Sequence, residues 1–451
     1  MMTRPGIFVL AVSWTFLASA SMRADDAETQ AVEAISFIGG KITRDLTSKD
    51  KPITAVDLEG IRVDENLLTR LANLPRLKKL NLRESGVTDD ATEALTKLLE
   101  LEDLNLFRTE VTEAGLKSVG KLASLRILDL GGTKTTPEGL NELTNLKKLE
   151  SLSLRDANIT NASLSAIGKL TSLRRLDIRL NEVGDQGVVR LKDLQKLESL
   201  ELEGTNVGDE GMAGLAKLKE LRHLGLAGTH VGDLGLRELK NFDQLVELNL
   251  GRTAISNEGI KAIQELKHLR TLVLSYTSVT DLGVKEISQI KNLESLQLAF
   301  TKVTDESFTE LKCLENLQTL GLWGTKITDA GLKELGSLKA LRSLNLGETC
   351  VTDEGLKRVK ESKQLRTLYL YHTKVTNAGL KEISGMNSLR VLGLEGPEIT
   401  DAGLKELKQL MGLQTLYLVN TATTKEGVAD LETAQPKLQI WRHPNRPNDI
   451  F

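Results

Sequence analysis

Leu317-Gln-Thr-Leu-Gly-Leu-Trp-Gly-Thr-Lys-Ile-Thr-Asp-Ala-Gly-Leu-Lys-Glu-Leu-Gly-Ser-Leu-Lys-Ala340 carries two periodicities in one short stretch. Leu320 and Leu322, at positions 4 and 6, alternate with polar or small residues, the period of a strand with one buried face. Leu332, Leu335 and Leu338, at positions 16, 19 and 22, recur at helical spacing, so the second half predicts a short amphipathic helix. Starting the frame at Leu293 or at Leu341 reproduces the pattern, and so does every equivalent start from Ile53 through Leu77 and Leu101 to Leu413. Residues 53–436 thus read as sixteen consecutive 24-residue repeats without insertion. One such unit cannot bury its own leucines. Stacking is required, with strands side by side and helices behind them.

The pattern L-x-x-L-x-L-x-x-T-x-V/I-T-D-x-G-L-x-x-L-x-x-L resembles the leucine-rich-repeat family. Thr fills position 9 in eleven repeats, where many members carry asparagine; Asn181 keeps that residue once. The threonine form is similar to secreted bacterial leucine-rich-repeat proteins and to the repeats of ribonuclease-inhibitor and F-box proteins. No F-box precedes the repeats here, so that activity is not carried over. The resemblance implies an α/β leucine-rich-repeat solenoid, a horseshoe with a parallel β-sheet on the concave face and short helices on the convex face. It further implies a binding scaffold and not an enzyme.

Asp or Asn fills position 13 in twelve repeats, and Gly fills position 15 in twelve. The aspartate or asparagine, with the threonine or glycine before it, is expected to cap the helix N-terminus. The glycine is expected to let neighbouring helices approach. One carboxylate per repeat is a poor calcium cage, since that ion takes 6–8 oxygens.

Outside the repeats, Arg4, the apolar run Ile7 to Leu17 and Ala18-Ser19-Ala20 read as an export signal over residues 1–20. The run is too short to span a bilayer, which takes about 20 apolar residues. The expected location is outside the cytoplasm, periplasmic or extracellular. Residues 21–52 read as an N-terminal cap: Val32, Ile35 and Ile38 at helical spacing, a Gly39-Gly40 stop, then a strand at 41–45. Residues 437–451 read as a C-terminal cap and tail, with a last strand at Leu438, Ile440 and Trp441.

Composition narrows function. The 59 basic and 62 acidic residues give a net charge of −3, no basis for a nucleic-acid partner. Cys313 and Cys350 fall on different faces in the repeat register, so no disulfide is expected. No metal-ligand spacing and no nucleophile motif occurs, so the reading includes no catalytic residue, metal or cofactor. The five histidines are scattered.

Variation within the frame is where function must lie. Nine aromatic residues occur in the repeats, and seven occupy positions 5, 7 or 8, which point to solvent on the sheet face or lie along its rim. Six of these, Tyr276, Phe300, Trp323, Tyr369, Tyr371 and Tyr417, lie in the C-terminal half; Phe107 is alone in the other. Gly321, Gly347 and Gly393 between them suggest a shallow notch with aromatic walls. Together with His372 these six form the candidate patch for a protein partner or, alternatively, a cell-envelope glycan. Aromatics also stabilise sheets by cross-strand pairing, the competing reading. The N-terminal half of the same face is charged, with Arg83, Arg108, Arg155, Arg175 and Arg179 among Asp129, Asp156, Asp177 and Glu201. Position 2 alternates in sign from Glu102 to Arg222, a ladder of opposite charges.

Overall fold

The computed structural model describes residues 27–442, which divide into two compact units meeting in sequence at Leu200 and Glu201. The export signal and the end of the tail lie outside the described residues. No described helix is long and apolar enough to cross a membrane.

In the first unit, residues 27–37 are helical and place Ala31 and Ile35 in the core. Gly39 takes a positive φ and turns the chain into the strand Lys41–Arg44. That strand pairs antiparallel with Ile53–Asp57. Everything after it is parallel: Ala55 pairs with Lys79, Lys79 with Asp103, Asp103 with Ile127, and so on to Arg175. Each partner lies one repeat further along the chain. The second unit repeats the scheme from His223–Gly225 to Gln439–Trp441. Each unit is a leucine-rich-repeat solenoid.

Most strands cover positions 3 to 5 only. Position 4 leucine points inward, and the leucine at position 6 follows it into the core; Leu320, Leu322, Leu344 and Leu346 are at most 1% exposed. Burying a leucine stabilises by roughly 1.5–3 kcal/mol, so the stacked leucines dominate. The helical half is shorter than the leucine spacing suggests. Asp353–Val359 is a seven-residue α-helix, whereas Gly331–Ser337 is wound as a 3₁₀-helix. Leu338 at position 22 already lies past the helix, where the chain turns back. So short a circuit leaves room for about two helical turns.

Position 8 is left-handed in all sixteen repeats. Six of these residues are glycine, such as Gly132 and Gly324, and ten are not, among them Arg108, Leu180, Tyr276, Phe300 and His372. The chain leaves the strand through this residue, and threonine at position 9 locks the turn. Its hydroxyl donates to the position-6 carbonyl, as from Thr301 to Leu298 (2.7 Å) and from Thr325 to Leu322 (2.6 Å). Asn181 does more in its turn. Its Oδ1 accepts from the N–H groups of Ala157 and Ile159, and its Nδ2 donates to three carbonyls.

The position-13 aspartates do not cap their own helices. In several repeats the threonine before position 13 does so: Thr280, Thr304 and Thr352, and Thr376 before Asn377, accept a backbone N–H with their hydroxyls. The aspartate instead reaches across to the following repeat. Asp305 accepts the Thr328 N–H (2.8 Å) and hydroxyl (2.6 Å). Asp89 accepts the same two groups of Thr112 and, in addition, the Gly115 N–H (3.0 Å). This fixes the glycine at position 15, since a Cβ on Gly115 would stand 2.5 Å from Asp89 Oδ1. Close approach is the reason for these glycines, and the approaching group from the preceding repeat is most often a carboxylate, or the amide of an asparagine at Gly187, Gly283 and Gly403.

Candidate functional site

The candidate residues belong to the second unit, on seven adjacent strands from Thr271–Val273 to Thr415–Val419. On this stretch positions 3 and 5 carry no charged residue. Position 3 runs Thr271, Ser295, Thr319, Ser343, Thr367, Val391 and Thr415. Position 5 runs Val273, Gln297, Gly321, Asn345, Tyr369, Gly393 and Tyr417.

Two residues expected at the surface are buried. Trp323 is 1% exposed and Tyr371 0%, and with Ala299 and Val419 they form a hydrophobic cluster of their own. Phe300, Tyr369 and Tyr417 are partly buried and pack against it. The alternation misleads here because the strands end before position 7. From that point the side chain leans along the sheet over the next repeat.

The notch expected around the glycines is accordingly filled. A Cβ on Gly347 would run into the six-membered ring of Trp323. One on Gly393 would stand 2.5 Å from the Tyr371 ring and 2.7 Å from that of Tyr369, and the Gln297 side chain occupies the space over Gly321. The glycines are seats for neighbouring side chains.

The rings are ordered by mutual contact. Trp323 and Tyr371 centroids are 5.9 Å apart, and Tyr369 stacks on Tyr371 at 5.6 Å. Trp323 Nε1 donates to Glu348 Oε2 (3.0 Å), which satisfies the indole at the rim of its burial. His372 is exposed beside Trp323, edge-on at 6.4 Å, with its Nε2 3.3 Å from Glu395 Oε2. Glu395 is buried at the end of an extended strand, Val391–Glu395, which runs past position 5 where most strands stop. Its other oxygen accepts from Asn420 Nδ2 (3.0 Å). Pro397 falls just beyond, where the position-9 hydroxyl is missing and Gly396 takes φ +115°.

At the opposite margin Tyr276 and Phe300, both left-handed at position 8, stack at 4.5 Å with an interplanar angle of 19°. Arg252 lies over the outer face of Tyr276 at 4.4 Å, and Phe300 covers Gly324. Tyr276 stays 39% exposed. Trp441 extends the surface in the other direction. It pairs in register with Tyr417 and is 53% exposed. Its place in the last strand is legible in the sequence, but counting only within the repeats leaves it out of the patch. The structure therefore brings the seven candidates into one region with two roles inside it: a floor of Trp323 and Tyr371, and a surface of Tyr276, Phe300, Tyr369, His372, Tyr417 and, newly, Trp441.

Part of the charged face of the first unit is ion-paired within itself. Arg83 pairs with Glu59 and Glu84, Arg108 with Glu84, and Arg179 with Asp177. The position-2 ladder is present as Lys78–Glu102, Arg126–Glu150 and Arg174–Glu198. Glu150 is held below the ordinary carboxylate range by its hydrogen bonds from Arg126, whose own pKa is raised by the same bonds. Cys313 and Cys350 are both free and exposed.

A leucine core built from one strand and one short helical segment per repeat defines a repeat-built leucine-rich-repeat protein. The chain belongs to the leucine-rich-repeat family: the profile described as leucine-rich repeat region matches residues 51–231 and 209–362, well over half of its length. No characterised sequence matches significantly. Among solved structures it is similar to a leucine-rich-repeat protein of Leptospira interrogans, 23% identical, with a TM-score of 0.58. That match covers 85% of this chain and 94% of the other. It is also similar to an internalin of Listeria monocytogenes, 20% identical over 81% of this chain and 94% of that one, with a TM-score of 0.51. At these identities the likeness concerns the fold.

Proposed function

We propose that this chain is an exported scaffold that holds a protein partner on the sheet face of its second unit, the concave face of the repeat fold. The surface formed by Tyr276, Phe300, Tyr369, His372 and Tyr417 makes the contact, with Trp323 and Tyr371 as its floor. One observation carries the reading. Half-exposed rings converge on a sheet face otherwise made of small uncharged residues, supported from below by a second hydrophobic cluster. Rigid aromatics over a packed base are how interfaces concentrate binding energy at low entropic cost.

Backbone conformation supports it. Left-handed backbone costs a bulky side chain about 1 kcal/mol or more relative to glycine. Six repeats place glycine at position 8, yet Tyr276, Phe300 and His372 occupy it here. The apolar run at 7–17 fits export. The surface carries no arrangement that suggests turnover.

The test is capture of partners from envelope and medium fractions by the protein lacking residues 1–20. Beside it runs Tyr276→Ala/Tyr417→Ala, which removes surface rings and leaves the floor. Capture by the unmutated protein alone supports the reading. Equal capture by both removes the aromatic surface from the interface. A glycan array run in parallel gives the rival its chance: selective sugar binding lost in the double variant, with no protein captured, would replace the protein partner.

A further inference from the structure

The residue at position 2 enters each strand at its edge, and where it is basic a carboxylate usually meets it on the next strand. Lys78 has Glu102 at 3.2 Å, Arg126 has Glu150 at 2.9 Å, Arg174 has Glu198, and Arg270 has Glu294 at 2.5 Å. Arg222, followed by Val246, stands singly. The pattern reverses once. Arg342, Arg366 and Arg390 occupy position 2 on three consecutive strands, flanked by Gln318 and Gln414.

The backbone bonds from Arg366 N to Arg342 O and from Arg390 N to Arg366 O, both 2.7 Å, fix the three as direct neighbours. Their spacing is about 4.8 Å, that of adjacent strands. Arg342 and Arg366 are exposed, with no carboxylate of the described residues in ion-pair distance. Arg390 donates through Nη1 to the carbonyls of Asn387 (2.8 Å), Leu389 (3.0 Å) and Gly412 (3.1 Å), which orients its guanidinium without supplying a counter-charge. Lys339 and Lys363, exposed just before two of these strands, add to the positive edge. Like charges directly opposite on neighbouring strands are destabilising. The row therefore works against the fold that holds it.

We infer that this arginine row is the docking edge for an acidic segment of the protein partner. Three planar guanidinium forks in a line suit bidentate contact with successive carboxylates. Arg366 immediately precedes the strand Thr367–Leu370, which carries Tyr369, so the cationic edge borders the aromatic surface directly. An aromatic centre beside an arginine rim is the anatomy of a protein interface, which favours a polypeptide over an acidic sugar as occupant. The choice of occupant rests on the protein-binding reading above; the cationic row does not.

The experiment measures binding of a fluorescein-labelled deca-glutamate peptide to the protein lacking residues 1–20. It is run at ionic strengths of about 0.01 M and about 0.15 M, across which the Debye length shortens from about 30 to about 8 Å. Arg342→Glu/Arg366→Glu is compared with Arg342→Gln/Arg366→Gln and with Lys302→Glu/Lys326→Glu, which reverses charge at two exposed lysines elsewhere in the unit. The expected result is salt-sensitive binding, weakened about tenfold or more by both arginine pairs and no more than about twofold by the lysine pair. Absence of peptide binding, or equal weakening by all three, overturns the inference. So does polygalacturonate bound in preference to the peptide and released by the arginine changes, which would give the edge to an acidic glycan. Tyr276→Ala/Tyr417→Ala should leave peptide binding intact while losing the partner, so the two readings fail separately.

Discussion

Phe107 and Trp323 occupy position 7 of repeats nine apart, and each lies against a glycine at position 7 of the next repeat, Gly131 and Gly347. What covers them differs. Arg83 and Arg108 sit over the Phe107 ring at 4.2 and 5.2 Å, each also paired to Glu84. Trp323 packs beside Tyr371 and is edged by His372. One seat in the repeat thus takes a ring in both units, and the neighbours decide its surroundings. In the first unit the ring stays half-buried under two arginines that pair with Glu84. In the second it becomes the floor of an apolar surface that still shows half-exposed rings. The seat is structural, and the roof is where the two units part.

The largest expected effect tests that division. Trp323→Ala should cost about 3–5 kcal/mol, the usual range for emptying a buried aromatic site. Phe107→Ala, under exposed arginines, should cost about 1–2 kcal/mol. Urea unfolding followed by circular dichroism measures both. Equal losses would mean that the charged roof buries its ring as well as the aromatic one. With Trp323 and Tyr371 both in the floor, replacing them together cannot spare the melting temperature, so binding tests belong on Tyr276 and Tyr417.

Filling the seat comes next. Gly347→Ala puts a methyl into the indole and should cost about 1–3 kcal/mol as an overpacked core. Gly385→Ala meets nothing within 4 Å and should be close to neutral. If Gly347→Ala is also neutral, Trp323 has another resting place and the floor is not fixed.

The repeat-to-repeat aspartates, common to both units, supply the reference against which the roofs are judged. Asp305→Ala should cost about 1–2 kcal/mol through the loss of two bonds to Thr328. Asp305→Asn should cost much less, because the chain already uses asparagine this way. Asn257 and Asn377 accept the following backbone N–H and donate to the threonine hydroxyl instead. Asp401 adds a pH signature. Bonds from the Thr424 N–H and hydroxyl hold its carboxyl below the ordinary value of 3.8. Its folded pKa is depressed, so its stabilisation is present above the unfolded value and is lost as pH falls through the folded one. A carboxyl resonance titrating at or above 3.8 would show that the staple is open in solution.

Much of this is legible in the sequence. Period, strand register, buried positions 4 and 6 and the threonine turn follow from local pattern, because their partners lie close in sequence or exactly one repeat away. Two features mislead for related reasons. Asp89 looks like a cap for its own helix, whereas its partner, Thr112, belongs to the next repeat. The clue is the glycine at position 15 that makes room for it. Trp323 and Tyr371 fall in solvent when strand alternation is extended past position 5, where most strands stop and the left-handed residue soon follows. Burial there comes from the next repeat, where Gly347 seats Trp323 and Gly393 seats Tyr371, a relation between repeats that no single repeat displays.

The smallest expected effect has an unusual sign. At position 2 the first unit alternates charge, whereas the second places Arg342, Arg366 and Arg390 side by side. If the row is kept for binding at the expense of the fold, Arg366→Glu should restore alternation and stabilise the second unit by a few tenths of a kcal/mol, the scale of exposed pairs. Glu150→Arg in the first unit should do the reverse, turning Arg126, residue 150 and Arg174 into a like-charged row. Both shifts should shrink at about 1 M salt, where the Debye length falls to about 3 Å. Melting curves at two salt concentrations suffice. A loss of stability with Arg366→Glu would mean that the arginines already have a compensating partner within the fold, and the contrast between the two edges would then carry no functional meaning.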